Sequence, residues 1–261
     1  MISEASVSHK PKVFAIIGGS GLYEMPGFSQ LDAIETPYGF VHGISRGTLN
    51  SVDVFFLPRH GNHHQIPPHK VNYRANIWAL SFLGVTDIVA VNAVGGIHSE
   101  MGPGHLCIPD QVIDYSWGRE HTFFDGSELC DKVSYIDFSE PFTLELRAVL
   151  QQQCESTLAP NQFSSWGTYA CTQGPRLESA AEICRIRRDG ADIVGMTLMP
   201  EAALARELEL GYASICAVVN WAAGIDPQGL VMAEVLATLE EALSTVNLLI
   251  AGAIKSLSLH K

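Results

Sequence analysis

The run Val13 to Tyr23, VFAIIGGSGLY, constrains this chain more than any other stretch: five β-prone apolar residues end at two glycines, a serine and a third glycine. A short run that is apolar at every position suits a strand covered on both faces. The glycines after it permit a tight turn whose N–H groups, with the Ser20 hydroxyl, can cradle a small oxyanion. A dinucleotide turn is disfavoured, because counting the GxGxxG pattern from Gly19 puts Glu24 at its sixth position. No Gly-Lys-Ser/Thr follows, which excludes a Walker loop.

Similar apolar runs recur at 52–57, 87–91, 106–113, 191–196 and 212–219, separated by helical patterns over 74–83, 141–154, 179–188 and 200–210. Near the C-terminus Met232, Val235, Leu236, Leu239, Leu243, Val246, Ile250 and Ile254 recur at three- and four-residue spacing, the mark of a helix with one apolar stripe. The expected fold class is α/β, a single domain over 1–261 with a mixed central β-sheet flanked by helices on both faces. Residues 1–12 are expected to be a flexible tail. Pro200 is placed to open a helix, with Glu201 in its first turn where the helix dipole favours a carboxylate.

With 47% hydrophobic and 17% charged residues the chain can bury a large core. Its formal charge of −12 argues against nucleic-acid or anionic-membrane partners, which need clustered Lys and Arg. Six cysteines without a CxxC pair read as buried free thiols. No secretory signal and no stretch near the roughly 18 uninterrupted apolar residues of a spanning helix is apparent, so a soluble, cytoplasmic protein is expected.

Arg59 and His60 follow the apolar run 52–57 directly, where α/β folds keep their ligand sites. A guanidinium fork matches phosphate oxygens, and a histidine adds a donor. His60, His63, His64 and His69 crowd one short stretch, but no carboxylate or cysteine completes a recognisable ligand spacing, so no metal is expected. After the run 87–91, Asn92, the Ala93 backbone and the pair Gly95 and Gly96 offer neutral donors, or else an ordinary strand-end turn.

The ordered motifs GGSG, LPRHG, VNAVGG, DQVIDYSWGRE, YACTQGPRLESAAEI and GADIVGMTLMPEAALARELELGYASICAVVNWAAG resemble the trimeric purine nucleoside phosphorylase and methylthioadenosine phosphorylase family over nearly the whole chain. The resemblance implies that phosphate attacks C1′ of a nucleoside while the purine departs, with inorganic phosphate as co-substrate and no cofactor. It implies a phosphate site of Ser20, Arg59, His60, Asn92, Ala93 and Thr197, and a nucleoside site that includes Met196 and Leu177. Asn220, Glu178 and His60 form the expected catalytic set. It also implies a homotrimer with sites near subunit interfaces, where Tyr135 of a neighbouring subunit completes the 5′ pocket.

Family members that split methylthioadenosine carry aspartates at the positions resembling Asn220 and Ala222, and a serine at that of Glu178. Glu178 with Asn220 instead resembles the pair that reads 6-oxopurines. A carboxylate can accept from N1–H while an amide donates to O6 and meets N7 with its oxygen; adenine reverses the pattern. A mismatch there costs roughly 1–3 kcal/mol per unpaired group. At the 5′ end those phosphorylases that take nucleosides with a 5′-hydroxyl present a histidine, whereas 220–258 here contains none, and Met232, Val235 and Leu236 resemble an apolar methylthio pocket. The expected substrate is therefore S-methyl-5′-thioinosine, giving hypoxanthine and 5-methylthioribose 1-phosphate. Alternatives are inosine or guanosine, methylthioadenosine, or nucleoside binding without turnover.

Overall fold

The computed structural model describes residues 12–126, 132–227, 229 and 231–259. The tail expected over 1–12 lies outside these residues except for Lys12, whose ammonium pairs with Glu145 at 2.7 Å. In chain order the strands are β1 Phe14–Gly18, β2 Ser29–Gln30, β3 Ile34–Thr36, β4 Gly39–Val41, β5 Ser45–Leu49, β6 Val52–Pro58 and β7 Asp87–Gly96. There follow β8 Leu106–Cys107, β9 Gln111–Asp114, β10 Phe163–Ser164, β11 Thr168–Cys171, β12 Ile193–Gly195 and β13 Gly211–Trp221. The helices are α1 Tyr73–Phe82, α2 Leu144–Thr157, α3 Ala180–Arg188, α4 Leu198–Glu207 and α5 Met232–Leu259.

The central strands β6, β1, β7 and β13 lie side by side and parallel, while β12 joins β7, and β5 joins β6, antiparallel. The sheet is mixed, as expected. Because side chains alternate across a strand, β1 feeds two cores. Ala15 and Ile17 join Ile77 and Leu80 of α1 and Ala202 and Ala205 of α4 on one face. Phe14 and Ile16 join the other face, with Leu146 and Leu150 of α2 and Val246 and Ile250 of α5. Every residue of β1 is buried, which is why it reads as an unbroken apolar run.

By length and mean hydropathy α5 is apolar enough to cross a membrane, although, as expected, it holds no uninterrupted apolar stretch of that length. Its stripe from Leu239 to Leu257 is buried against the sheet and α2. The run expected over 106–113 is two strands rather than one. Pro109 has no N–H to give to a ladder, so the chain leaves β13 after Cys107 and re-enters the sheet beside β11. Of the cysteines expected to be buried, Cys184 is exposed and Cys130 lies outside the described residues.

Glu201 is not a solvated first-turn carboxylate. Met199 leaves the helical backbone at φ −109° and ψ 139°, as a residue before proline tends to, and the helix beyond it carries Glu201 inward. There it accepts from Arg59 twice, from Nε to Oε2 at 2.6 Å and from Nη2 to Oε1 at 2.7 Å. Tyr212 donates to Oε1 at 2.8 Å, and Arg59 Nη1 donates to the Val91 carbonyl at 2.9 Å. Arg59 and Glu201 are each 1% exposed, and through these bonds the end of β6 is tied to α4, β7 and β13. Breaking one side of such a pair strands a buried charge, at a cost of about 3–5 kcal/mol. Glu201→Ala is expected to lower unfolding stability by that amount in urea titrations, and Arg59→Met/Glu201→Leu to recover most of it. Equal losses in the single and double variants would show that packing, not charge pairing, matters here.

Candidate active site

The C-terminal ends of β1, β6, β7 and β13 open into one cavity of about 720 Å³. At its inner end stand Gly19, Ser20, Arg59, His60, Asn92, Ala93 and Thr197, so all six residues expected to hold phosphate are brought together. Gly19 is required by close approach, since a Cβ there would lie 2.4 Å from the Val91 carbonyl oxygen, and Gly21 takes φ +81° to turn the chain back. Three of the five N–H groups of Arg59 are engaged by Glu201 and Val91, which leaves two for an anion. Burial works against the guanidinium charge, but the Glu201 carboxylate more than offsets it and holds Arg59 protonated.

His60 lies 2.8 Å through Nδ1 from the Ile66 carbonyl, so Nδ1 carries the proton and Nε2 is left with a lone pair. Burial, then the charge of Arg59, lowers its pKa to about 4 against the opposing pull of that carbonyl. This corrects the donor expected from the sequence: a neutral imidazole so held offers Nε2 as an acceptor, for instance from a P–OH group, and is no standing cation. Asn92 donates from Nδ2 to Thr197 Oγ1 at 2.8 Å, which leaves the Thr197 hydroxyl proton to point elsewhere.

The middle of the cavity carries Met196, Glu178 and Asn220. Glu178 is not a helix cap: Ser179 caps α3 and exchanges bonds with Glu182. Glu178 instead accepts from Thr172 Oγ1 at 2.5 Å. Asn220 follows a register shift between Val218 and Asn220, where β13 gains a residue relative to β7. Such a bulge re-aims the side chains after it. The Asn220 amide nitrogen donates to the Trp221 carbonyl at 2.7 Å, which orients the amide: an oxygen in its place would face another oxygen.

At the mouth stand Leu177, Met232, Val235, Leu236 and Leu239, an apolar wall as expected. It is open, with Met232 58% and Leu236 59% exposed. The cavity also includes a polar pair that sequence reasoning missed, Tyr23 and His64, joined at 2.6 Å between the phenol oxygen and Nδ1. His64 also stacks on His60, with ring centroids 4.9 Å apart. The histidine-free stretch 220–258 therefore does not make a histidine-free pocket. Tyr135 is 93% exposed and lies outside the cavity of its own chain. Among the described residues no group of three or more His, Cys, Asp or Glu is placed to hold a metal ion.

Known proteins resemble this chain over most of its length. A protein of Pseudomonas syringae pv. tomato named a probable S-methyl-5′-thioinosine phosphorylase is 51% identical over 240 residues, covering 90% of this chain and 95% of the other. The 6-oxopurine nucleoside phosphorylase of Pyrococcus furiosus is 46% identical, covering 92% and 91%. Among solved structures, methylthioadenosine phosphorylase from Schistosoma mansoni in complex with adenine superposes with a TM-score of 0.89 at 31% identity, over 96% of this chain and 93% of that one. The profile of the phosphorylase superfamily matches residues 13–255, a span that takes in every strand and all but the last turn of α5. Matched by this profile from residue 13 to 255, and by relatives over nine-tenths of its length, the chain belongs to the phosphorylase superfamily.

Proposed function

We propose that this enzyme splits S-methyl-5′-thioinosine with inorganic phosphate, giving hypoxanthine and 5-methylthioribose 1-phosphate in purine salvage. The observation that carries the proposal is the single cavity that runs from an anion cradle, past Glu178 and Asn220, to the apolar wall of Met232, Val235 and Leu236. Phosphate held by Ser20, Arg59, His60, Asn92, Ala93 and Thr197 attacks C1′. The C1′–N9 bond breaks, and its electron pair leaves with the purine, which gains a proton from solvent at N7. Fixing phosphate beside C1′ supplies most of what the reaction needs.

Glu178 accepts from N1–H, the free N–H of Asn220 donates to O6, and Asn220 Oδ1 accepts from the protonated N7. Met196 lies against the ribose and Leu177 against the base. Phosphate is the only co-substrate; neither metal nor organic cofactor enters. Leu177, Met232 and Leu236 at the mouth are each more than half exposed, which favours a homotrimer in which Tyr135 of a neighbouring subunit closes the mouth. We place the enzyme in the cytoplasm.

A second reading, a 6-oxopurine nucleoside phosphorylase acting on inosine, is favoured by the Tyr23–His64 pair, which can bond a 5′-hydroxyl. Rates with methylthioinosine, inosine and methylthioadenosine separate these. The methylthio 6-oxo substrate is expected to exceed each rival in kcat/KM by about tenfold or more. Inosine in the lead would support the second reading instead.

Asn220→Asp is expected to raise the ratio of kcat/KM for methylthioadenosine over methylthioinosine at least about tenfold, by removing the donor to O6. An equal loss for both purines would assign Asn220 a structural role. His60 is neutral above about pH 4, so it adds no ionisation to the free enzyme at neutral pH. His60→Asn should lower kcat/KM for phosphate yet leave the shape of its profile between about pH 5.5 and 8 unchanged. A step near pH 6.5 that vanishes in the variant would show His60 titrating at its ordinary value.

A further inference from the structure

Ser214 sits in the middle of β13, 0% exposed, and does not line the cavity. Its hydroxyl donates to Asn92 Oδ1 at 2.8 Å, and Asn92 Nδ2 in turn donates to Thr197 Oγ1 at 2.8 Å. Behind it Cys216 Sγ lies 3.4 Å from Ser214 Oγ, and burial raises that thiol to about 12, so it keeps its proton. All the hydrogen bonds in this row can point one way, from Cys216 through Ser214 and Asn92 to Thr197. Asn92 is 1% and Thr197 7% exposed, so water does not compete along it.

The direction has a chemical effect. An amide whose oxygen is held by a donor must turn its NH2 toward Thr197. A threonine oxygen that accepts from that NH2 must send its own proton elsewhere, and the cavity lies on that side. Without the serine hydroxyl the amide is free to flip. Its oxygen would then face Thr197 Oγ1, draw the threonine proton inward, and turn a donor to the anion into a lone pair.

We infer that Ser214 is a positioning residue for phosphate, setting the Asn92 amide so that Thr197 donates its hydroxyl proton to the anion. The inference rests on the proposal that Asn92 and Thr197 hold phosphate. It assigns Ser214 an effect on phosphate affinity that a buried polar residue serving only the strand would not have.

The test is a cycle of Ser214→Ala and Thr197→Val, with KM measured separately for phosphate and nucleoside. Ser214→Ala is expected to raise phosphate KM about tenfold and to move nucleoside KM by less than about twofold, the loss of one hydrogen bond to a charged group. In the Thr197→Val background the same change is expected to add less than about twofold, because the hydroxyl it orients is gone. Full multiplication of the two effects, or equal rises in both KM values, would overturn the inference. Phosphate KM unmoved by Thr197→Val alone would sink the phosphate reading and this inference with it. If Ser214→Ala does not fold, Ser214→Cys keeps the volume, weakens the donor, and is held to the same expectations.

Discussion

The buried pair of Arg59 and Glu201 is the constraint on which the site depends. Neither charge meets water, so each is tolerable only because the other is within hydrogen-bonding distance. The pair joins residues 142 apart in the chain and gathers the ends of β6 and α4 with the Val91 carbonyl and the Tyr212 phenol. An anion arriving at the cradle meets a guanidinium already neutralised by its partner. What the site supplies is therefore not a surplus of positive charge but fixed N–H and O–H groups aimed at one place. That suits a chain with a formal charge of −12, whose overall field does nothing to attract phosphate.

The same economy runs through the rest of the cavity. Thr172 holds one oxygen of Glu178, a carbonyl holds the Asn220 amide, and Ile66 holds His60. Each of these three cavity-lining groups is thus held in one orientation by a partner before any ligand binds.

Much of the fold could be read from the chain because its central strands are buried on both faces and so appear as unbroken apolar runs. The long helix was legible through its stripe, and the cradle through glycines that nothing larger could replace. What escaped has a common cause. Glu201 looks like a helix-dipole residue until its partner 142 positions away is known. Tyr23 and His64 meet only because two loops converge, and Ser214 is one small residue in an apolar strand whose partner lies on a neighbouring strand. Pro109 splitting a strand was visible, but the choice of new neighbour was tertiary. The bulge that places Asn220 leaves no local mark at all.

The Trp221 carbonyl beneath Asn220 belongs to the main chain, so no substitution at 221 removes it. An amide or carboxyl group at position 220 must turn a hydrogen toward that oxygen or accept electrostatic repulsion. A carboxylic acid installed there would be driven to keep its proton, showing the cavity a carbonyl and not an anion. Which atom of that one side chain is left facing the cavity is thereby settled by the peptide behind it.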